Sequence, residues 1–166
     1  MEATLYRPNA GIIIFNKQGK LLWCKRRTGD GWQFPQGGID EGELPEEAIF
    51  RETYEEVGLD ESKIRILKEN ERWVNYDVPR DKIPRYFSFK NRKFKGQTQK
   101  WFLAELKCDE SKINLNSSSP AEFDDWIWTK YWYPLGATVT FKSEAYRRAL
   151  IDMMPTYSSF LKRLSG

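Results

Sequence analysis

Histidine is missing from these 166 residues altogether. Its absence removes Ser–His–Asp triads, Cys–His pairs and histidine-ligated zinc or iron. Any catalysis must then fall to carboxylates, lysine, tyrosine or a metal held by oxygen. Cysteine is scarce: Cys24 and Cys108 stand far apart, too few for a disulfide framework or a Cys-rich zinc site, and they favour a reducing compartment. Long apolar runs are lacking too. The longest, Ala10 to Phe15, falls far short of the roughly 20 residues a membrane-spanning helix needs. The opening Met-Glu-Ala-Thr-Leu-Tyr-Arg has no basic start leading into an apolar stretch, so it is not read as a secretory signal. Without repeats, low-complexity tracts or Gly/Ser linkers, residues 1–166 read as a single cytoplasmic domain. What is present is 40% apolar, 31% charged and 15% aromatic, the composition of a globular chain and too rich in aromatics for a disordered one.

The net charge of +3 hides a segregation. Between Gly37 and Leu59 lie eight acids (Asp40, Glu41, Glu43, Glu46, Glu47, Glu52, Glu55 and Glu56) and one base, Arg51; the remainder holds 26 bases against 16 acids. A basic body with one concentrated acidic segment suits a metal-assisted enzyme acting on a polyanion. A merely solvated helix face would show the same cluster.

Residues 10–15 and 20–25 read as strands joined by the turn Asn16-Lys17-Gln18-Gly19. A helix is expected from Glu43 or Leu44 to Val57. Pro45 suits its first position, Glu46 and Glu47 complement its dipole, and Gly58 ends it. Residues 64–76 should hold one or two strands, 77–99 a loop or irregular insert, Lys100–Leu106 a strand and Asp125–Tyr133 an aromatic strand or turn. Helical spacing runs from Ser143 to Met154, where Pro155 is expected to stop it before a shorter helix from Tyr157 to Leu164. Strands interleaved with a few helices point to an α/β or α+β sandwich.

Within the acidic helix, Glu52, Glu55 and Glu56 sit at i, i+3 and i+4 and share one face. Two of their pairings repel by about 0.2–0.5 kcal/mol each, which Arg51 can offset through Glu47 and Glu55. Crowded carboxylates of this kind make an oxygen site for hard divalent ions such as magnesium or manganese. The stretch Gly37-Gly38-Ile39-Asp40-Glu41-Gly42-Glu43, seven further residues, then Arg51-Glu52-Thr53-Tyr54-Glu55-Glu56-Val57-Gly58-Leu59 resembles the signature of the Nudix hydrolases. Its one departure is Thr53, where the family usually has an aliphatic residue. The resemblance implies an α/β/α sandwich with a mixed sheet between helices and the motif at 37–59. It also implies metal-dependent hydrolysis of a nucleoside diphosphate linked to another group. Glu52 and Glu56 would bind metal directly, Glu55 directly or through water, and a backbone carbonyl near Gly37 would complete the shell. Glu43 and Arg51 would brace these carboxylates. The base for an in-line water would be Glu52, Glu56 or Glu122. Magnesium is the expected ion, with manganese or zinc as alternatives.

Further segments extend the likeness from about Tyr6 to Leu150: Tyr6-Arg7-Pro8-Asn9-Ala10-Gly11, Trp32-Gln33-Phe34-Pro35-Gln36, Gln99-Lys100-Trp101-Phe102, Pro120-Ala121-Glu122-Phe123-Asp124, Tyr131-Trp132-Tyr133-Pro134 and Val139-Thr140-Phe141-Lys142. Together they resemble the bacterial RNA pyrophosphohydrolases and the related diadenosine tetraphosphate hydrolases. This implies removal of pyrophosphate from the triphosphorylated 5′ end of RNA, leaving a monophosphate that invites decay, with dinucleoside polyphosphates as the alternative substrate; no membrane and no obligate protein partner are expected. Glu122 would join the metal site. Arg7, Arg26, Tyr76, Val139, Phe141 and Lys142 would handle phosphates and first bases, and Gly31 stands where relatives often carry a serine.

Independently, residues 77–100 interleave eight bases (Arg80, Lys82, Arg85, Lys90, Arg92, Lys93, Lys95 and Lys100) with Tyr86, Phe87, Phe89 and Phe94. Cations for phosphates beside aromatic faces for stacking are how single-stranded ends are held. A solubilising loop with its aromatics tucked into the core is the competing reading. The tryptophans are read as core, with Trp32 alone offered to ligand. A catalytically silent nucleotide binder is the reading from another class, and the three retained carboxylates argue against it.

Overall fold

The computed structural model describes residues 5–29, 31–82, 88–89 and 92–165. Strands β1 (Tyr6–Phe15), β2 (Leu21–Arg26), β3 (Trp32–Gln33) and β4 (Gln36–Gly38) precede helix α1 (Pro45–Val57). There follow β5 (Ile64–Glu69), β6 (Val74–Asp77), the short pair β7 (Ser88–Phe89) and β8 (Arg92–Lys93), the long β9 (Gly96–Leu106) and β10 (Phe123–Thr129). Helices α2 (Tyr133–Ala137) and α3 (Ser143–Ser165) end the chain.

A mixed sheet runs in the order β10-β2-β1-β9-β5. Its axis is the parallel pairing of β1 with β9, in register from Tyr6↔Gly96 to Phe15↔Glu105. Alternation along the strands decides the layers, because successive side chains leave opposite faces. Ile13, Leu21, Trp23, Trp101 and Leu103 pack under α3 through Tyr146, Ala149, Leu150 and Met153. Ile12, Ile14, Leu22, Cys24, Phe102 and Ala104 pack under α1 through Ala48, Ile49 and Val57. The result is the expected α/β/α sandwich. Gly11 is required by one close approach: a Cβ there would meet the Trp101 ring at 2.7 Å.

The central strands split at one end. The outer edge of β1 pairs with β2 at Phe15 but with β4 at Asn9–Gly11. β9 likewise pairs with β5 along Phe102–Leu106 and with β6 along Gly96–Gln99. The sheet therefore opens at the polar ends of β1 and β9.

Three expectations need correction. β1 and β9 each begin four residues earlier than the apolar pattern indicated. Arg7, Asn9 and Gln97 are polar because they line the opening, and Gln99 because it bonds Asn9 from beneath, so the ladder continues where the hydrophobic signal stops. Pro155 does not stop the last helix; α3 is continuous through it. A proline here removes one N–H and crowds the carbonyl a turn before. The carbonyl that loses its partner is that of Ile151; on either side of it the helix is tied down by the Tyr131 hydroxyl donating to Leu150 O at 2.7 Å and Lys68 Nζ donating to Asp152 O at 3.1 Å. Tyr157, Phe160 and Leu161 hold the second half against the same core. Finally, the expected loop at 77–99 holds a 3₁₀ turn at Arg80–Lys82, the pair β7–β8 and the start of β9. Phe94 is buried in the core, as the solubilising-loop reading has it. Arg85, Tyr86, Phe87 and Lys90, and the side chains of Phe89, Arg92 and Lys93, lie outside the described residues.

Candidate active site

Helix α1 starts where the sequence sets it. Pro45 occupies its first turn, and Glu47 accepts from the Leu44 N–H at 2.9 Å, the return half of a capping box. Gly58 closes it in the left-handed region, φ 73°, with its N–H bonded to Tyr54 O. Because Glu47 is spent on the cap, Arg51 turns elsewhere than expected. Its Nε and Nη2 grip both oxygens of Glu43 at 2.9 and 2.8 Å, Nη2 also meets Gly38 O at 2.9 Å, and Nη1 reaches Glu52 at 2.7 Å. Asp40 and Glu55 stand further off, both at 3.6 Å. A planar guanidinium serves such a fork as lysine could not. It holds the Glu43 carboxyl below its ordinary pKa.

Glu52 and Glu56 are in the opposite condition. Glu56, on the inner side of α1, is 5% exposed and accepts the Gln36 N–H at 2.9 Å. Burial first, then the charges of Glu52 and Glu122, push its pKa well up. Burial also raises Glu52, against the pull of Arg51. Gly37 lets Glu52 in, since a Cβ at that residue would overlap the Glu52 carboxyl carbon and both its oxygens. Glu55 lies on the rim beside Arg51, half exposed.

Among the described residues, no three of these acids already surround one point as metal ligands would. Mutual repulsion and separate donors account for this: Arg51 draws Glu52, and the β4 backbone draws Glu56. The donor set nevertheless fits a hard divalent cation. It is all oxygen, and buried like charges at Glu52 and Glu56 call for a positive partner.

These carboxylates form one wall of a cleft of about 450 Å³ at the split end of the sheet. Gly37, Glu52, Glu56 and Glu122 line it together with Arg7, Arg26, Lys82 and Lys142. Arg7 lies against Gly38, where a Cβ would meet Nη2 at 2.6 Å. Arg26 Nε stands 3.6 Å from Glu122. Lys142 is 8% exposed and donates to Gln33 Oε1 at 2.7 Å. Tyr76 and Phe141 close one end with rings 6.1 Å apart and tilted by 35°, and the Tyr76 hydroxyl donates to Gln97.

Of the residues expected to touch substrate, Arg7, Arg26, Tyr76, Phe141 and Lys142 meet in this cleft, whereas Val139 is not among its lining residues. Val139 precedes the 3₁₀ turn Thr140–Lys142 and accepts the Lys142 N–H, so it shapes the turn that delivers Lys142. Trp32 packs on the core rather than lining the cleft. The amides were missed. Asn9, Gln33, Gln36 and Gln97 line the site, and Gln99 beneath them donates to Asn9 at 2.8 Å. Their signal was uncharged amides in strand alternation where apolar residues would be expected.

With this geometry in view, the comparisons with known proteins are consistent. The family model described as NUDIX domain matches residues 5–153. An RNA pyrophosphohydrolase of Photobacterium profundum is 48% identical, covering 95% of this chain and 89% of its own. One from Saccharophagus degradans is also 48% identical, covering 100% and 96%. Among solved structures, the E. coli dihydroneopterin triphosphate pyrophosphohydrolase superposes with TM-score 0.68 at 21% identity, covering 89% of this chain and 99% of that one. An Ap4A hydrolase of C. elegans gives 0.62 at 20%, covering 94% and 98%. At such identities these last two speak for the fold alone. The chain belongs to the NUDIX domain family.

Proposed function

We propose that this Nudix pyrophosphohydrolase removes pyrophosphate from the 5′-triphosphate end of RNA, leaving a 5′-monophosphate that promotes decay of the message. The observation that carries the reading is a cleft lined both by the carboxylates of Glu52, Glu56 and Glu122 and by Arg7, Arg26, Lys82 and Lys142. It is supported by 48% identity along nearly the whole chain to proteins named RNA pyrophosphohydrolase.

Nudix hydrolases use divalent metals. In this chain Glu52, Glu55, Glu56, Glu122 and the Gly37 carbonyl would hold them. The oxygen-only set favours magnesium or manganese, and zinc less, since histidine is absent and the buried Cys24 is not among the cleft residues. Ions bound there supply Lewis acidity to the phosphoryl oxygens. The side chains do the rest. Arg7, Arg26, Lys82 and Lys142 neutralise the remaining phosphate charge, and Tyr76 with Phe141 offers faces to the first base. A carboxylate of the trio Glu52, Glu56 and Glu122 takes the proton of the attacking water. The water oxygen joins phosphorus, the phosphoanhydride bond breaks, and pyrophosphate leaves with the electron pair. Glu43 acts through Arg51, which steadies Glu52 and the Gly38 carbonyl.

The same carboxylates and cations would also serve a second substrate class, dinucleoside polyphosphates such as diadenosine tetraphosphate. We read residues 1–166 as one domain, because α3 runs beyond the family match at 153 yet packs on the same core. We place the protein in the cytoplasm, which suits its two free thiols. Among the described residues no helix is long and apolar enough to cross a membrane. RNA carrying labelled 5′ phosphates tests the function: pyrophosphate and monophosphorylated RNA are expected with magnesium. Stepwise release of orthophosphate would overturn the reaction, and faster cleavage of diadenosine tetraphosphate would move the assignment to the second substrate.

A further inference from the structure

Glu122 reaches the site from a loop, not from the helix that carries Glu52 and Glu56, so something must fix where that loop ends. Its earlier part is stitched to the C-terminus of α1. Asn114 N–H donates to Val57 O at 2.8 Å, and Ser118 Oγ donates to Glu55 O at 2.9 Å. Gly58 has no side chain where Asn114 and Ser117 crowd it. Its final part is tied to the end of β2. The β10–β2 ladder closes at Phe123↔Arg26. Arg27 then extends it in two ways: its backbone N–H donates to Glu122 O at 3.0 Å, and its side-chain Nε donates to Ala121 O at 2.7 Å. The backbone bond would survive most substitutions at this position. The side-chain bond would not, and it falls on the residue immediately before Glu122.

We infer that Arg27 is a positioning residue for the reaction: its guanidinium clamps the Ala121 carbonyl and thereby fixes the Glu122 carboxylate over the α1 acids. The inference rests on the proposed function in placing Glu122 in the reaction. Arg27 is not among the residues lining the cleft, so it acts through the loop and not on the phosphates. The neighbouring Arg26 is the one that faces Glu122 directly, at 3.6 Å. A charged donor on a carbonyl is among the stronger hydrogen bonds, and an acid displaced by about 1 Å can lose on the order of 100-fold in rate. Partial loosening of one loop end should cost on the order of tenfold.

The test is a cycle on the full chain with magnesium and triphosphorylated RNA, using Arg27→Ala, Arg27→Lys, Glu122→Gln and the double variant Arg27→Ala/Glu122→Gln. Arg27→Ala is expected to lower kcat on the order of tenfold with KM unchanged. Arg27→Lys, which still offers a donor to Ala121 O, should recover most of the rate. In the Glu122→Gln background, Arg27→Ala should add almost nothing, because residues acting as a unit are not additive. If Glu122→Gln turns over like wild type, the placement of Glu122 in the reaction fails. If that variant is slow but Arg27→Ala is not, the inference about Arg27 fails by itself. A rise in KM that persists in the double variant would make Arg27 a direct RNA contact and overturn the clamp. A loss that tracks a lowered Tm and is equal in both backgrounds would reduce Arg27 to a structural role.

Discussion

Gly37→Ala separates folding from chemistry more sharply than any carboxylate variant. The φ of Gly37 lies outside the left-handed region, so alanine brings no backbone strain. What it brings is a methyl group in the space that the Glu52 carboxyl fills. Carbon–carbon contact is comfortable at about 3.5–4.0 Å and the added carbon would stand 1.9 Å from the Glu52 carboxyl carbon, so the carboxyl must retreat by about 1.6 Å or more. It is the far end of a flexible side chain and can do so. Leaving costs its bond to Arg51 Nη1 at 2.7 Å, a charged hydrogen bond worth about 1.5–3 kcal/mol. Part of that returns as relief, because burial outweighs Arg51 and holds the Glu52 pKa up. Arg51 also keeps Glu43 and the Gly38 carbonyl. The expected net destabilisation is therefore small, about 1 kcal/mol, or a few degrees in Tm for a chain of this size. Activity should behave otherwise: a reacting group misplaced by about 1 Å costs on the order of 100-fold. Pyrophosphate release from triphosphorylated RNA, measured beside thermal unfolding, reads both effects. A Gly37→Ala protein with kcat within about threefold of wild type would refute the claim that this glycine places Glu52.

Glu52→Gln should lower kcat by about 10²–10⁴-fold while Tm moves by only a few degrees; turnover near wild type would remove Glu52 from the mechanism. Apparent affinity for RNA should fall steeply with salt, and Lys82→Ala should flatten the log–log slope by about 0.7, the value for one phosphate contact on a single strand. An unchanged slope would show that Lys82 does not touch the substrate. For pH, the raised pKa values of Glu56 and Glu52 come chiefly from burial. In chelator, their contribution to stability is fully present below the ordinary glutamate value of about 4.3 and is lost as pH rises through the raised values. Glu43, lowered by Arg51, has the opposite sign: its contribution is present above the ordinary value and is lost as pH falls through the lowered one. Divalent ions bind the ionised carboxylates, so the Tm gained on adding magnesium should grow from about pH 5 to pH 8. A gain independent of pH would contradict ion binding at Glu52 and Glu56.

The uneven legibility of this chain follows from one physical fact: apolar periodicity reports the core, and the site is where the core stops. The acidic helix was readable to within a residue or two because its signals are local: Pro45, the first-turn acids Glu46 and Glu47, and Gly58. So were β2 and the middle of β9 as strands, from short apolar runs, although that they serve two cores, one on each face, is visible only in the structure. The same rule ended β1 at Ala10 and β9 at Lys100 too soon, because Arg7, Asn9 and Gln97 continue the strands as polar residues lining the cleft, with Gln99 beneath them. The misreading of Pro155 has the same origin in reverse. A local breaker was trusted where tertiary packing of Tyr157 and Phe160, with carbonyls bonded from Tyr131 and Lys68, outweighs it. Spacing likewise put Glu52, Glu55 and Glu56 on one helical face but could not say which donors compete for them. That question is settled by β4: the Gln36 N–H takes Glu56, and the Gly38 carbonyl, with Glu43, holds the Arg51 guanidinium that takes Glu52. Strand ends that remain in the ladder after their hydrophobic pattern has run out are thus themselves a pointer to the site. Here they would have led to Asn9 and Gln97 before any motif did.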